Sequence, residues 1–482
     1  MQSLEKFLNI DFKVSSIEID SRKCTENSIF VAINGENFNG ADFIDSAFKM
    51  GAKLIIIDKK EPIDGENILK VEDVRSFLSR ILEIYYFKKL PENIVAITGT
   101  NGKSSIANFI FQIWQKININ CAFIGTIGTF CSKKIDGIIN SDLTSPDIIT
   151  LYKNLALLKK NNIDQVVIEA SSIGLDQERM GNLKFKIGGF SNLSLDHLDY
   201  HKNFTNYFKS KALLFEKHLS DDGVAILNAD IKQYKQLKKI CDEKNLKTIG
   251  YGYKSDDARI VKVVETLVEV EFFGRRYWFD NHFGGDFQIY NLICAILMVT
   301  CRFRQGRGKL IEDIVNMVDD LKPAKGRMEF VGKNKNGGLV YIDYAHTPDA
   351  LENILKEGRK ICKNRLLVLF GCGGDRDSKK RTIMGRIADQ NADFIVVTDD
   401  NPRNEDPFRI RAEVILGIEN KNHMVEIESR KDAIKYAIDK LENEDLLILA
   451  GKGHEQYQII GNDKVAFDEF KIVREILSEG NS

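Results

Sequence analysis

Short apolar runs alternate with longer amphipathic segments along most of the chain. In the middle of the chain the apolar runs lie at residues 95–98, 165–169, 187–190 and 224–227, and helical segments separate them. Strands that alternate with helices predict a mostly parallel sheet with helices on its faces. Residues 258–279 alternate between apolar and polar positions without a helical segment, which predicts a small antiparallel appendage to this sheet.

A second series of strands and helices occupies the C-terminal third of the chain. Its apolar runs lie at residues 339–344, 366–370, 394–398 and 446–450, and they predict a doubly wound, Rossmann-like domain. The first 90 residues hold apolar runs at 28–33 and 53–57 around a polar turn at 34–40, which predicts a smaller α/β unit. A break near Leu90-Pro91-Glu92 and a length of 482 residues favour an α/β protein of three domains, residues 1–91, 92–328 and 329–482.

Composition and charge argue against several classes of function. Hydrophobic residues make up 43% and charged residues 29% of the chain, as in ordinary globular proteins. The net charge of −1 gives no reason to expect nucleic acid as a partner. The eight cysteines are scattered without a Cys-x-x-Cys pair, so neither zinc nor a disulfide framework is expected, and a reducing cytoplasm fits best. Residues 1–12 lack the features of a signal peptide, and no apolar run is long enough to suggest membrane insertion.

The run Thr98-Gly99-Thr100-Asn101-Gly102-Lys103-Ser104 is the clearest sign of chemistry in the chain. It follows the apolar run at 95–98 and opens a segment with helical spacing. Backbone N–H groups at the start of such a helix face a phosphate, Lys103 adds a positive charge, and Ser104 offers a hydroxyl to Mg²⁺. The spacing is shorter than in the usual P-loop, whose first glycine would fall at Ile97. The loop predicts binding of a nucleoside triphosphate.

Polar loops that follow other strands of the middle domain carry further candidates. Glu169 ends the run at 165–169, where a carboxylate suits Mg²⁺ beside nucleotide phosphates, although a charged strand end is by itself the commoner explanation. Residues 191–201 hold His197, His201 and two aspartates, and a histidine there is suited to ligate a metal or to orient a substrate. Four of the seven histidines, at positions 197, 201, 346 and 454, lie in loops of this kind, which favours a functional role.

Three loops of the third domain place polar groups at one edge of its predicted sheet. They contain Arg376, then Asn401 with Arg403, and finally Glu455. Arginines suit a carboxylate and a glutamate suits an ammonium group, so this edge is suited to a zwitterionic amino acid. A single arginine is more often part of a surface ion pair, but the set on neighbouring strand ends favours a binding site.

Six motifs, in their order and spacing, resemble those of the Mur ligase family of peptidoglycan synthesis. The chain is similar to this family over essentially its whole length, and most closely to its MurE branch. The motifs are Thr-Gly-Thr-Asn-Gly-Lys-Ser at 98–104, Glu-Ala-Ser-Ser at 169–172, Asn-Leu-Ser through His at 192–197, Asp-Tyr-Ala-His-Thr-Pro at 343–348, Asp-Asn-Pro-Arg at 400–403 and Gly-Lys-Gly-His-Glu at 451–455. The resemblance implies a cytoplasmic, ATP-dependent ligase whose domains bind, in chain order, a UDP-sugar, ATP and an amino acid.

The resemblance also assigns the nucleotide and metal sites. Asn291 matches an adenine contact, Arg327 a phosphate contact and Asp343 a ribose contact. Lys211 aligns with a lysine that is carbamylated in the family, and the catalytic roles fall to Lys103, Lys211 and His197. The residues that correspond to the Mg²⁺ site are Ser104, Glu169, His197 and Lys211. The residues that correspond to the phosphate-binding loop are Gly99, Thr100, Asn101, Gly102, Lys103, Ser104 and Ser105.

Two further substrates are implied, UDP-MurNAc-L-Ala-D-Glu and meso-2,6-diaminopimelate. ATP would convert the D-glutamate γ-carboxylate into an acyl phosphate, and the incoming amine would displace the phosphate. The residues that match the UDP-sugar-peptide site are Ser21, Thr144, Ser145, Ser171, Gln177 and Arg179, with Thr144-Ser145-Pro146 in place of the frequent Thr-Thr-Pro. The residues that match the diaminopimelate site are Arg376, Asp400, Asn401, Pro402, Arg403, Gly451 and Glu455.

Several alternatives stay open from the sequence. Asp-Asn-Pro-Arg at 400–403 is the diaminopimelate form of its motif, but the same reaction with L-lysine is the nearest alternative. A MurF-like ligase or a folylpolyglutamate synthase would share the ATP loop without the motifs at 400–403 and 451–455. A P-loop switch that binds a nucleotide without ligating anything would make the third-domain loops incidental. For the diaminopimelate-adding ligase, a monomer is expected.

Overall fold

The computed structural model describes residues 3–35, 38–141, 143–283, 285–303 and 305–479. Helices flank successive sheets along the chain, which confirms the predicted α/β class. The predicted polar turn at 34–40 lies partly outside the described residues. The predicted domain boundaries stay predictions, but each predicted domain contains its own main sheet.

The first sheet is parallel throughout and has the order β1-β2-β3-β4. Its strands are β1 Ile17–Glu18, β2 Ser28–Val31, β3 Ala52–Asp58 and β4 Ile68–Val71. The helices of this unit are α1 Leu4–Leu8, α2 Ile44–Lys49 and α3 Val74–Tyr85, with 3-10 turns at Ser21–Lys23 and Gly40–Phe43. The two predicted strands are confirmed, because the apolar runs form the buried β2 and most of β3.

The central sheet has the order β14-β13-β12-β11-β10-β9-β5-β8-β6-β7. Its strands are β5 Asn93–Thr98, β6 Cys121–Gly125, β7 Gly128–Cys131, β8 Gln165–Glu169, β9 Phe185–Phe190, β10 Leu219–Asn228, β11 Lys247–Gly252, β12 Ala258–Val264, β13 Leu267–Phe272 and β14 Arg275–Asp280. The predicted antiparallel appendage is confirmed as β12 to β14. It continues the main sheet, because β12 pairs in parallel with β11 through Tyr251 and Ala258.

The helices of the middle unit cover the central sheet, and their packing fixes the start of the helix that follows the glycine-rich loop. They are α4 Lys103–Lys116, α5 Ile148–Lys160, α6 Ser172–Asp176, α7 Leu198–His201, α8 Phe204–Leu213, α9 Tyr234–Glu243, α10 Asp286–Thr300 and α11 Arg307–Asn316, with a π-helical turn at Leu214–His218 and a 3-10 turn at Val318–Asp320. Helix α4 buries Ile106, Phe109 and Ile113, and α10, which is almost wholly buried, packs against it. This packing holds the N-terminus of α4 at the carboxyl edge of the sheet.

The third sheet has the order β15-β16-β20-β17-β18-β19. Its strands are β15 Glu329–Lys333, β16 Leu339–Asp343, β17 Leu366–Phe370, β18 Phe394–Val397, β19 Met424–Glu426 and β20 Leu446–Ala450, and a separate hairpin is formed by β21 Tyr457–Ile460 and β22 Asp463–Ala466. Only β15 among the described strands of this sheet is antiparallel to its neighbour. The carboxyl ends of β16, β20, β17 and β18 therefore meet at one edge.

Helices cover both faces of the third sheet, as a doubly wound domain requires. They are α12 Pro348–Ile361, α13 Lys379–Asn391, α14 Pro407–Ile415, α15 Arg430–Asp439 and α16 Glu469–Glu479, with a 3-10 turn at Lys421–His423. One core contains apolar residues of α12, α13 and α14, and the other contains those of α15 and α16. The doubly wound prediction is confirmed.

Two further observations bear on the composition of the chain. All eight cysteines lie at described positions and are free thiols. Within the described ranges, no helix combines the length and the apolar character that crossing a membrane demands.

Candidate functional site

A cavity of about 400 Å³ lies where the carboxyl edge of the central sheet faces that of the third sheet. Loops after β5 and β9 line one side, and loops after β17, β18 and β20 line the other. The predicted site residues that line it are Thr100, Asn101, Gly102, Lys103, Thr144, Ser171, Arg179, His197, Lys211, Arg327, Arg376, Asp400, Asn401, Arg403, Gly451 and Glu455. Residues far apart in the sequence thus share one cavity.

Other predicted residues contact the lining without belonging to it. Ser145 Oγ lies 3.0 Å from Ser171 Oγ, and Gln177 Oε1 accepts a 2.7 Å hydrogen bond from Arg179 Nη2. A side chain at Gly102 would meet Asn291, whose Oδ1 would lie 2.4 Å from the new Cβ. The predicted residues that do not line the cavity are Gly99, Ser104, Ser105, Ser145, Glu169, Gln177, Asn291, Asp343 and Pro402, together with Ser21, which lies in a 3-10 turn of the first unit.

The glycine-rich loop brings two buried lysines together. Gly102 precedes α4 in a left-handed conformation (φ 85°), which a residue with a Cβ rarely adopts. Lys103 Nζ donates to Gly99 O at 3.0 Å and to Thr100 O at 2.8 Å, while Lys211 Nζ donates to the same Gly99 O at 2.8 Å. Burial lowers the pKa of Lys103, and burial together with the charge of Lys103 lowers the pKa of Lys211 well below its ordinary value. An anion bound in the loop would offset the positive charge of these buried lysines, and burial favours the neutral form of Lys211 more than in an exposed lysine.

The predicted acid and imidazole of the metal site lie around these lysines. Glu169 is fully buried, and its carboxylate accepts hydrogen bonds from Thr126 N at 3.0 Å and Thr126 Oγ1 at 2.9 Å. His197 Nε2 lies 3.3 Å from Asp196 Oδ2. Burial lowers the pKa of His197 to about 4, so its imidazole is neutral and able to ligate a metal at neutral pH.

The side chains around the loop suit an Mg²⁺ ion that is held largely by substrate phosphate and water, rather than one enclosed by protein ligands. No cluster of three or more His, Cys, Asp or Glu side chains among the described residues is arranged to hold a metal. Mg²⁺ keeps several waters and commonly takes one or two protein carboxylates plus substrate phosphates. Glu169 supplies a carboxylate, Ser104 a hydroxyl at the start of α4, and His197 a neutral nitrogen. An unmodified lysine is a poor ligand, so Lys211 fits only as its carbamate.

The arginines on the third-domain side face the same cavity. Arg403 has a left-handed backbone (φ 51°), and its Nη1 donates to Gly374 O at 2.8 Å. The glycine at 374 also lets the backbone at Pro402 pack closely, because a Cβ there would lie 1.9 Å from Pro402 O. Arg376 Nη1 lies 3.9 Å from Asp199 Oδ2 of the middle unit. Burial and then the charge of Arg376 lower the pKa of Arg403, so a carboxylate bound between the guanidiniums would relieve their repulsion.

Acidic and amide groups lie beside these arginines. Asn401 Nδ2 donates to Glu455 Oε2 at 3.1 Å, and Tyr344 OH donates to Glu455 Oε1 at 3.4 Å. Asp400 also lines the cavity and is largely buried. Cationic and anionic groups therefore adjoin in this part of the cavity, as the sequence predicts for an amino-acid site.

Direct contacts connect the two sides of the cavity. Asp349 in the first turn of α12 accepts hydrogen bonds from Asn101 Nδ2 at 3.0 Å and from Ser194 Oγ at 3.3 Å. The Arg327 guanidinium lies 4.8 Å from the centre of the Tyr344 ring. Asp343 accepts from Met328 N at 2.7 Å, which ties the end of β16 to the segment that follows Arg327. The glycine-rich loop thus touches the third domain.

Sequence reasoning did not assign several residues that line this cavity. The hydroxyl oxygen of Tyr207 lies 3.0 Å from Thr100 Oγ1, and Lys211 Nζ lies 4.5 Å from the centre of the Tyr207 ring. Tyr207 is four residues before Lys211 on α8, and this helical spacing was a signal that the two share a face. Lys380, which donates to His346 O at 2.9 Å, and Thr126 carried no comparable signal in the sequence.

Family models match all three parts of the chain. The model described as Mur ligase family, catalytic domain, matches residues 13–86. The Mur ligase middle domain matches residues 97–299, and the Mur ligase, glutamate ligase domain, matches residues 326–453.

Individual proteins match over nearly the full length. A UDP-N-acetylmuramoyl-L-alanyl-D-glutamate--2,6-diaminopimelate ligase of Rickettsia conorii is 42% identical, with 96% of this chain and 95% of the relative covered. A ligase of the same name from Agrobacterium fabrum is 36% identical, with 97% and 94% covered.

Solved structures agree. A ligase of that name matches with 29% identity and a TM-score of 0.68, over 100% of this chain and 99% of the other. A MurF ligase of Thermotoga maritima in complex with ADP, at 17% identity and a TM-score of 0.63 over 96% and 97% of the two chains, shares the fold. With family models matched in order and relatives of this identity along almost all of its length, the chain belongs to the Mur ligase family.

Proposed function

We propose that this protein is an ATP-dependent ligase that joins meso-2,6-diaminopimelate to UDP-MurNAc-L-Ala-D-Glu. The observation that carries the proposal is a single cavity that combines the glycine-rich loop at 99–104 with two arginines, a glutamate and an asparagine. The names of the relatives from Rickettsia conorii and Agrobacterium fabrum support the same reaction. Because the substrates are nucleotides and an amino acid, we place the reaction in the cytoplasm. One chain lines the whole cavity, so we propose that a monomer suffices.

The nucleotide half of the site would bind ATP through the start of α4. Backbone N–H groups there and Lys103 would bind the phosphates. Ser104, Glu169 and His197 would hold Mg²⁺, which would supply charge neutralisation on the phosphates. In its neutral form, which burial favours, Lys211 would add CO₂ through its amine nitrogen, lose a proton and become a carbamate. Asn291, Arg327 and Asp343 would contact the adenine, a phosphate and the ribose, respectively.

The UDP-sugar-peptide would present its D-glutamate to this loop. Ser21, Thr144, Ser145, Ser171, Gln177 and Arg179 would bind it. An oxygen of the D-glutamate γ-carboxylate attacks the γ-phosphorus of ATP, and the bond from phosphorus to the ADP oxygen breaks. The amine of diaminopimelate then attacks the acyl carbon, loses a proton, and expels phosphate. Contacts between the two sides of the cavity, such as Asn101 with Asp349, would keep water from the acyl phosphate.

The third domain would determine the specificity for the incoming amino acid. Arg376 and Arg403 would bind the distal carboxylate of diaminopimelate, and Asp400, Asn401 and Glu455 would bind its distal ammonium. L-Lysine has no distal carboxylate, so it would leave both guanidiniums without that partner. Leaving partly buried charged groups unpaired would lower kcat/KM for L-lysine by several-fold to thousands-fold relative to diaminopimelate.

Phosphate release tests this proposal directly. The full-length protein is assayed with ATP and Mg²⁺ while UDP-MurNAc-L-Ala-D-Glu and diaminopimelate are omitted in turn. We expect rapid release only when both are present, since the acyl phosphate needs the first and its turnover needs the second. Release that depends on neither would indicate a nucleotide switch, and comparable turnover with L-lysine would refute the assignment of diaminopimelate.

A further inference from the structure

Lys452 occupies a position that the proposed mechanism does not use. It follows β20 and Gly451, its side chain is 0% exposed, and it does not line the cavity. Its ammonium group nevertheless contacts the residues that do. Nζ donates to Glu455 Oε2 at 2.8 Å and to Asn401 Oδ1 at 2.9 Å, and it lies 3.6 Å from Asp400 Oδ1.

These contacts fix the direction of the Asn401 amide. Its Oδ1 accepts from Lys452 Nζ and from Ile459 N, both at 2.9 Å. An amide oxygen that already receives two donors cannot exchange places with its nitrogen, so Nδ2 stays directed at Glu455 Oε2, 3.1 Å away. Lys452 thus orients both a carboxylate and an amide at the edge of the cavity.

The charge of Lys452 also changes what this part of the cavity can bind. Asp400 and Glu455 together carry two negative charges, and the adjacent ammonium of Lys452 offsets one of them. Arg403 adds a positive charge beside the same carboxylates, and once a substrate carboxylate pairs with it, one negative charge is left over. That balance suits one substrate ammonium. Without Lys452 the two carboxylates would lack the positive charge that lies beside both of them, and their mutual repulsion would disfavour the present arrangement.

A second buried ion pair supports the backbone segment from Ala450 to Lys452. Arg430 and Glu469 are both 0% exposed and lie 2.8 Å apart. Arg430 Nη2 donates to Ala450 O at 2.9 Å, two residues before Lys452. The backbone that carries Lys452 is therefore held in place on the side away from the cavity.

We propose that Lys452 is a positioning residue of the amino-acid subsite, which orients Asn401 and Glu455 and sets the subsite's charge to accept a single ammonium group. This inference rests on the proposed function, because it takes diaminopimelate as the occupant of the subsite. Lys452 acts through Asn401 and Glu455 and does not touch the substrate itself.

The variant Lys452→Met tests the inference, because it keeps most of the side-chain length and removes the charge. We expect the KM for diaminopimelate to rise about 10- to 100-fold, the range found for supporting partners of metal ligands. The KM values for ATP and for UDP-MurNAc-L-Ala-D-Glu should stay within about 3-fold. Lys452→Met/Glu455→Gln, which removes one charge of each sign, should be no worse than either single variant, because the residues act as a unit.

Arg365→Met is the matched control. Arg365 pairs with Asp445 at the amino end of β20, 2.6 Å from Nη2 to Oδ2, whereas Lys452 lies beyond the carboxyl end of the same strand. The control should lower the melting temperature and leave all three KM values unchanged. If Lys452→Met does not fold, Lys452→Gln is measured, which keeps an N–H donor without the charge and should raise the diaminopimelate KM about 3- to 10-fold.

Each outcome of these measurements either supports or overturns the proposed role of Lys452. A normal KM for diaminopimelate in either variant overturns the inference, and so does an equal rise in all three KM values or failure of both variants to fold, since these indicate a purely structural role. The wild type is assayed in parallel. Wild-type turnover with a normal variant overturns only the role of Lys452, whereas a wild type without substrate-dependent turnover overturns the proposed function and this inference with it.

Discussion

Replacing Arg403 by alanine should change the choice of amino acid more than it changes catalysis. Arg403 is partly buried and lines the cavity, and within the described part of the chain its guanidinium donates to Gly374 O at 2.8 Å through Nη1, which leaves other N–H groups available to a ligand. A hydrogen bond to a charged group contributes about 1.5–3 kcal/mol, which corresponds to about 10- to 150-fold in affinity. We expect kcat/KM for diaminopimelate to fall by about 30-fold in Arg403→Ala.

L-Lysine provides the comparison within the same experiment. It lacks the distal carboxylate, so its low kcat/KM should change by less than about 3-fold. Phosphate release is measured at saturating ATP and UDP-MurNAc-L-Ala-D-Glu while each amino acid is titrated. Arg409→Ala is the control, because Arg409 is 76% exposed on α14, pairs with Glu413 and does not line the cavity. An equal loss for both amino acids, or no loss for diaminopimelate, would refute the role given to Arg403.

Three other predictions follow from the structure. Lys103→Met should lower kcat by about 100- to 1,000-fold in the phosphate-release assay, because it removes the charge beside the transferred phosphate; an activity near wild type would contradict this. Arg430→Met should lower the free energy of unfolding by about 3–5 kcal/mol in urea, because it leaves Glu469 buried without its partner, and a loss below about 1 kcal/mol would count against it. Burial lowers the pKa of His218 to about 4, so stability is full above the unfolded pKa of about 6.5 and falls by about 2 kcal/mol by pH 5 as the unfolded state takes up a proton. His218→Gln should therefore show a flatter melting temperature between pH 7 and pH 5 than the wild type, and an unchanged slope would contradict the assignment.

Strands that are buried on both faces could be predicted from the sequence. The predicted runs at 165–169, 366–370 and 446–450 coincide with β8, β17 and β20, because a strand between two helical layers is apolar through its central positions. The prediction at 224–227 was too short, since β10 begins at Leu219. Its early residues are polar, the pairing with β9 shifts register there, and exposed Asp222 forms ion pairs with Lys186 and Arg302.

The site was predictable where glycine-rich loops carry it and not where packing does. The loops at 98–104, 400–403 and 451–455 could be identified as candidate site loops because of their composition and because each follows a predicted strand. Tyr207 and Thr126 reach the cavity from a helix and a turn that have no such pattern. Lys452 belongs to a recognised motif, but its meaning depends on complete burial and on contacts to Asn401, 51 residues away, which only the fold supplies.

One competition experiment tests the central claim most directly. The full-length protein is given ATP, Mg²⁺, UDP-MurNAc-L-Ala-D-Glu and equal concentrations of meso-diaminopimelate and L-lysine, and the nucleotide-linked peptides formed are separated by mass. The account predicts that the product carries diaminopimelate almost exclusively, with one phosphate released per amide bond. A product that carries lysine in comparable amount, or phosphate release without any new amide, would contradict it.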